Sequence, residues 1–175
     1  VNISLDTLRA DKFRQISRGG NINDVLNSID VARRIGLNPV KINVVAMAGI
    51  NDDEITDFAA RTIKEEWHIR FIELMPFGTK DTSPQFIPVA EIKRRLEPLG
   101  QLEPCSMTAG NGPAKYFRLP HARGTIGFIT PVSEHFCSNC NRLRLTADGK
   151  LRLCLMSEQE IDVREPLRAG ATPQE

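Results

Sequence analysis

Three cysteines and three arginines fall within one short stretch, residues 136–155, which reads FCSNCNRLRLTADGKLRLCL. Cys137 and Cys140 stand at C-x2-C spacing, so two thiols can grip one metal centre from a single turn. A turn at Asp148-Gly149 then returns the chain toward Cys154, and Arg142, Arg144 and Arg152 lie along the two arms. The stretch predicts a metal site beside a cationic wall.

The turn sequence Ala147-Asp148-Gly149-Lys150 predicts a three-residue loop, a type I turn closed by Gly149 in the left-handed region. That register sets Thr146 against Lys150, Arg144 against Arg152 and Arg142 against Cys154. These residues then share one face, and Leu143, Leu145, Leu151 and Leu153 share the other. A two-residue loop would shift the pairing by one and move Cys154 to the opposite face from Arg142 and Arg144. Opposed arginines repel unless an anion lies between them, and their planar forks suit phosphate oxygens. The competing reading leaves them solvated, as surface arginines commonly are. Spacing alone also leaves the metal open. Zinc is the more typical occupant of such cysteine pairs and wants a fourth ligand, for which His135 and Cys105 are the candidates. A 4Fe–4S cubane held by three thiolates leaves one iron open. Three ordinary buried thiols form the third reading, which the polar residues flanking the pair disfavour.

The elements that must position this stretch are legible from periodicity. Residues 1–5 alternate as a strand, with Asp6 a candidate cap for a helix over 7–16. Ile22, Val25, Leu26, Ile29, Ala32 and Ile35 recur at helical spacing, with Asn21 or Asn23 as cap and Gly36 at the C-terminal stop. Residues 40–47 form an almost continuously apolar strand whose exceptions, Lys41 and Asn43, fall on one face. A helix capped by Asn51 or Asp52 follows, with Ile55, Phe58, Ala59 and Ile63 inward, and then a strand over 68–74, stopped by Pro76. This alternation is the signature of a parallel sheet. Three strands cannot close a barrel, which in its eight-stranded form takes about 250 residues. After a connector over 77–88, Pro88 opens a short helix over 89–96. The segments 114–119, 124–130, 142–146 and 150–155 then read as an antiparallel extension, and no element is evident beyond Ser157.

Composition sets the outer limits. The chain has 175 residues, 41% hydrophobic and 26% charged, the make-up of a globular protein with a core of its own. A net charge of +1 gives no global pull toward nucleic acid or membrane. No apolar run reaches the roughly 20 residues needed to span a bilayer. Four cysteines are too few for a disulfide scaffold, and in a chain that looks cytoplasmic C-x2-C is better read as metal binding. The sequence starts at Val1, inside a strand and without an initiator Met, which reads as a fragment.

The segments VNISLDTL, PVKINVV, GINDDEI and RFIELMPFG occur in this order before the cysteine hairpin. With it, they closely resemble, over nearly the whole chain, the later part of the GTP 3′,8-cyclase family of radical S-adenosylmethionine (SAM) enzymes in molybdenum cofactor biosynthesis. The resemblance implies an α/β fold: residues 1–78 as the later half of an incomplete (β/α)6 barrel, and 79–175 as a C-terminal extension. It implies two 4Fe–4S clusters. One binds SAM through C-x3-C-x2-C and generates a 5′-deoxyadenosyl radical. The other, on Cys137, Cys140 and Cys154, binds the guanine of GTP through its open iron. Ser4 and Met75 match SAM contacts, Lys41 and Arg70 match GTP-site residues, and Arg142, Leu143 and Arg144 match the GTP-binding segment.

Each match has a plainer alternative. Ser4 could simply end a strand, and Met75 could fill the core. Lys41 is harder to dismiss, because a charge within an apolar strand is costly unless it lines a cavity or finds a partner. Arg70 and Met75 have opposite strand parity, so both face one site only if the strand ends before Met75. The implied reaction is a lyase-class cyclisation to 3′,8-cyclo-7,8-dihydro-GTP, passed to a cyclic pyranopterin monophosphate synthase. A homodimer is one assembly considered; nucleic acid and membrane are not expected partners. The departures are that C-x3-C-x2-C, an early Gly-Gly-Glu motif and a C-terminal Gly-Gly tail are absent from these residues. The fragment alone is therefore expected to bind GTP weakly and not to turn it over. From a different class, the alternative is a zinc-binding α/β module contacting phosphates of RNA or a protein partner.

Overall fold

The apolar segments with period-two alternation become strands of a mixed sheet in a computed structural model that describes residues 1–76, 85–106, 112–137, 140 and 142–172. The strands are β1 (Asn2–Ser4), β2 (Lys41–Ala46), β3 (His68–Glu73), β4 (Glu103–Pro104), β5 (Lys115–Arg118) and β6 (Thr125–Ile129). Their spatial order is β1-β2-β3-β6-β5-β4. Strands β1, β2, β3 and β6 run parallel, and β5 and β4 add an antiparallel edge. The segment expected to join an antiparallel extension, 124–130, thus supplies a fourth parallel strand through β3 and is antiparallel only toward β5. Turn signals and periodicity mark a strand but carry no information about which neighbour it will meet.

Four helices, α1 (Ala10–Ile16), α2 (Ile22–Arg34), α3 (Ile55–Lys64) and α4 (Val89–Leu96), alternate with these strands. Ile22 and Ile29 of α2, Ile55 and Phe58 of α3, and Ile92 and Leu96 of α4 are buried in one cluster with Ile42, Val44, Ile69, Phe71, Ile126 and Phe128. In β2 and β3 those residues alternate with half-buried ones, among them Lys41, Asn43, His68 and Arg70, and the helices pack on the face they bury. Fully burying each such aliphatic or aromatic side chain stabilises the fold by roughly 1.5–3 kcal/mol before entropy is counted.

The helix ends follow local chemistry in part. Asn21 caps α2, its side chain accepting from the Asn23 N–H at 3.1 Å, and Gly36 closes it at φ +80°. Asp6 does not cap the first helix, which begins at Ala10; its carboxylate instead accepts from the Val45 N–H at 2.8 Å. Asn51 does not cap α3 either. It accepts from the Met47 N–H at 2.8 Å and donates to the carbonyls of Asp6 and Val45 at 2.7 and 2.8 Å. A 3-10 turn at Asp52–Glu54 leads into α3. Pro88 stands one position ahead of α4, as its N-cap. The connector expected over 77–88 falls largely outside the described residues.

The chain divides into two compact units, Val1–Phe136 and Cys137–Glu175. The second holds a three-stranded antiparallel sheet of β7 (Arg144–Leu145), β8 (Lys150–Arg152) and β9 (Glu160–Asp162), followed by α5 (Arg164–Arg168). Sequence reading found no element beyond Ser157, yet β9 and α5 lie there. Among the described residues no helix is long and apolar enough to cross a membrane.

Candidate functional site

The face of the large sheet away from the helices is polar at its centre. Register places Asn2 beside Lys41 and Lys41 beside His68; one layer up, Ser4, Asn43, Arg70 and Gly127 lie side by side. Lys41 and Asn43 do share this face, as period two requires. Arg70 donates from Nε to Asn43 Oδ1 at 2.7 Å and from Nη2 to Asn2 Oδ1 at 2.9 Å. The structure therefore brings Lys41 and Arg70 onto one open face with exposed Ser4 beside them. Burial, and then the nearby Arg70 guanidinium, push the Lys41 ammonium below its usual value. Two cations thus share one half-buried surface. β3 ends at Glu73, two residues before half-buried Met75, so strand parity does not bind Met75 to the face opposite Arg70.

The Glu73 side chain alternates to the helix-covered face and is buried. It accepts from the N–H groups of Val89, Val132 and Ser133 at 3.0, 3.1 and 2.9 Å, and from the Ser133 hydroxyl. A second buried carboxylate, Glu54, accepts from the Thr7 hydroxyl at 2.7 Å and the Leu8 N–H at 2.7 Å, with the Lys12 ammonium 3.2 Å away. These residues tie the loops at the C-terminal ends of β1, β2 and β3. Sequence reasoning missed both. The available signal was a carboxylate at an apolar register position, which must find donors to be buried.

In the second unit the expected turn forms. Gly149 lies at φ +83°, the Thr146 N–H donates to the Lys150 carbonyl at 2.8 Å, and Arg144 pairs with Arg152. The ladder stops there, so the expected pairing of Arg142 with Cys154 is not part of it. The reason is β9: the chain turns after Cys154, with the Ser157 N–H on the Cys154 carbonyl at 3.3 Å, in order to return alongside β8. β9 also supplies Arg152 with its counter-ion. Glu160 binds the Arg152 guanidinium and lies 3.3 Å from the Lys150 ammonium. The Glu160 carboxyl is consequently held below its usual value, by Arg152 first and Lys150 second. Arg144 has no such carboxylate among the described residues. Leu143, Leu145 and Leu153 are exposed, 62%, 68% and 47%, on the other side of the hairpin.

Cys137, Cys140 and Cys154 are exposed free thiols. The Cys140 N–H donates to the Cys137 carbonyl at 3.2 Å, which sets the C-x2-C pair on one turn. Cys154 Sγ accepts from the Met156 N–H at 3.4 Å. A thiolate in a metal centre accepts such backbone N–H groups, so three free thiols, one already so contacted, are a donor set that fits an iron–sulfur cluster. Among the described residues no three His, Cys, Asp or Glu side chains converge into a ligand group, so Cys154 does not meet the other two here.

Comparison with known proteins places these features in a family context. The Molybdenum Cofactor Synthesis C family model matches residues 67–175, and the Radical SAM superfamily model matches residues 1–62. Among curated proteins, a GTP 3′,8-cyclase of Moorella thermoacetica is 58% identical over 98% of this chain and 53% of its own length. Those of Pelotomaculum thermopropionicum and Thermodesulfovibrio yellowstonii are 51% and 53% identical over 100% of this chain, each along 55% of its own length. The chain thus spans about half the length of the curated relatives it matches.

Proposed function

Because the chain belongs to the Molybdenum Cofactor Synthesis C family, we propose that it provides the substrate-holding part of a GTP 3′,8-cyclase. That radical SAM lyase would convert GTP to (8S)-3′,8-cyclo-7,8-dihydroguanosine 5′-triphosphate in molybdenum cofactor biosynthesis. The observation that carries the proposal is the pair of cations, Lys41 and Arg70, on adjacent layers of the polar face of the parallel sheet. Such a pair suits a polyanion.

In this proposal Lys41 and Arg70 are GTP contacts of the first unit, and Arg142 and Arg144 of the hairpin are GTP contacts of the second, each cation suited to phosphate oxygens. Leu143 lies between the two hairpin arginines in the same proposed GTP-binding segment. Ser4, at the end of β1, and Met75, two residues beyond β3, contact SAM. Cys137, Cys140 and Cys154 would hold a 4Fe–4S cluster, which when bound supplies an open iron to orient the purine. The parallel strands, with helices on one face, would form the later part of an incomplete (β/α)6 barrel. Residues 1–78 would serve SAM and phosphate contacts, and 79–175 the second cluster. SAM cleavage requires the first cluster and its C-x3-C-x2-C motif, which these residues do not contain. The 175-residue chain alone would therefore bind GTP weakly without turnover. Transfer of the product to a cyclic pyranopterin monophosphate synthase, a homodimeric state and a cytoplasmic location belong to the same proposal.

Anaerobic reconstitution with iron and sulfide, followed by GTP titration, tests it. A brown chromophore and a GTP affinity weakened by Arg142→Ala and Arg144→Ala are expected. A colourless protein holding one zinc, with GTP affinity indifferent to both substitutions, would overturn it.

A further inference from the structure

Arg70 is held by groups that orient it without neutralising it. Its Nε and Nη2 donate to two amide oxygens, Asn43 Oδ1 at 2.7 Å and Asn2 Oδ1 at 2.9 Å. Nε and Nη2 form the side edge of the guanidinium, so the two asparagines occupy that edge and leave the Nη1–Nη2 end edge for another partner. The stem is fixed as well. Gly127 is Arg70's register partner on β6, and a Cβ built there would lie 3.1 Å from Arg70 Cγ and 2.9 Å from Tyr116 Cε1. The missing side chain is the space through which the arginine passes beside the tyrosine ring.

The chemical type of the anchors matters more than their number. A carboxylate at either position would hold the fork equally well, but it would also supply the counter-charge. Amide oxygens accept the same hydrogen bonds and leave the whole positive charge for a ligand. Among the described residues no carboxylate hydrogen-bonds or ion-pairs with Arg70, and the neighbouring charged side chain on this face is Lys41, another cation.

We propose that Asn43, with Asn2 and the gap at Gly127, is a positioning residue that presents the end edge of the Arg70 guanidinium, at full charge, to a pair of phosphate oxygens. This deepens the proposed GTP site and rests on that assignment. It adds what the cationic pair alone does not specify: which edge of Arg70 meets the ligand, and why the strand beside it carries an amide and not an acid.

The test uses Asn43→Asp, Asn2→Asp, Asn43→Ala and Arg70→Ala in the 175-residue protein, titrated with GTP and with guanosine by NMR. Arg70→Ala sets the size of the phosphate contribution, expected at roughly tenfold in GTP affinity. Asn43→Asp should approach that loss while raising the melting temperature, because a new ion pair forms. It should leave guanosine affinity unchanged. Asn43→Ala should weaken GTP binding less and speed solvent exchange of the Arg70 Nε proton, a readout that a general loss of stability does not give selectively. Asn2→Asp, at an exposed position, repeats the charge test if Asn43 variants fold poorly. If Arg70→Ala loses affinity and both acidic variants bind GTP within twofold of the parent, the positioning proposal fails and the GTP site stands. If Arg70→Ala itself leaves GTP affinity unchanged, the phosphate assignment of Arg70 fails and the positioning proposal goes with it.

Discussion

Glu73 and Ser133, sixty residues apart in sequence, are joined twice: the Ser133 N–H donates to one carboxylate oxygen at 2.9 Å and its hydroxyl to the other. Val132 and Val89 add their N–H groups, so one buried carboxylate gathers the end of β3, the start of α4 and the loop after β6. All of these donors are neutral, so the carboxylate is satisfied by hydrogen bonding and not by a salt bridge. Glu73→Gln would turn an N–H2 group toward donors that need an acceptor. It should cost about 3 kcal/mol in denaturant unfolding with the slope unchanged. A loss under about 0.5 kcal/mol would show that the clamp contributes nothing net.

Asn51 provides a second, sharper case. As a helix cap its replacement by Ala would cost about 1 kcal/mol. As the buried hub seen here, bonded to Met47, Asp6 and Val45, it leaves three backbone groups without partners when truncated. Asn51→Ala should therefore cost roughly 3 kcal/mol. A cap-sized loss would contradict the hub.

The two opposed arginines of the hairpin are not equivalent. Arg152 is already paired with Glu160, whereas Arg144 is not. Arg144→Ala should lower GTP affinity roughly tenfold and Arg152→Ala less than twofold. Equal losses in a nucleotide titration would mean that Glu160 releases Arg152 to the ligand.

Acid sensitivity should centre on His68. Burial pushes its imidazole below the usual 6.5, and Lys41 and Arg118 push the same way against Glu66. The unfolded chain takes up a proton near pH 6.5 that the folded chain accepts only at lower pH. The contribution of this group to stability is thus complete above pH 6.5 and falls as pH drops through 6.5 toward the folded value. His68→Gln should flatten that part of the stability profile. An unchanged profile would assign the acid response to other groups.

Strand β2, helix α2 with its cap and stop, and the hairpin register were legible because each is set by residues close in sequence. The direction of β6 was not, because Gly124 to Ile129 looks the same whether its partner runs with it or against it. Asp6 and Asn51 were misread for a related reason. Cap-forming side chains also bond distant backbone, and tertiary contact decides between the two. β9 has three residues and little apolar content, and it exists through its pairing with Lys150 and Arg152. At the site, Lys41 was visible as a charge in an apolar strand and Arg70 through the family resemblance, but the asparagines that orient Arg70 became meaningful only once three strands were aligned.

Along β2 the residues Ile42, Val44 and Ala46 enter the core while Lys41, Asn43 and Val45 face the open side, one for one. Site and core are therefore counted on the same ruler. Either can be tuned by substitution without disturbing the other, but neither tolerates a change in strand length. Removing one residue from the middle of β2 would carry an ammonium or an amide beneath the helices and turn an isoleucine or valine toward the open face. A substitution within a strand keeps this alternation, whereas an insertion or deletion there inverts it.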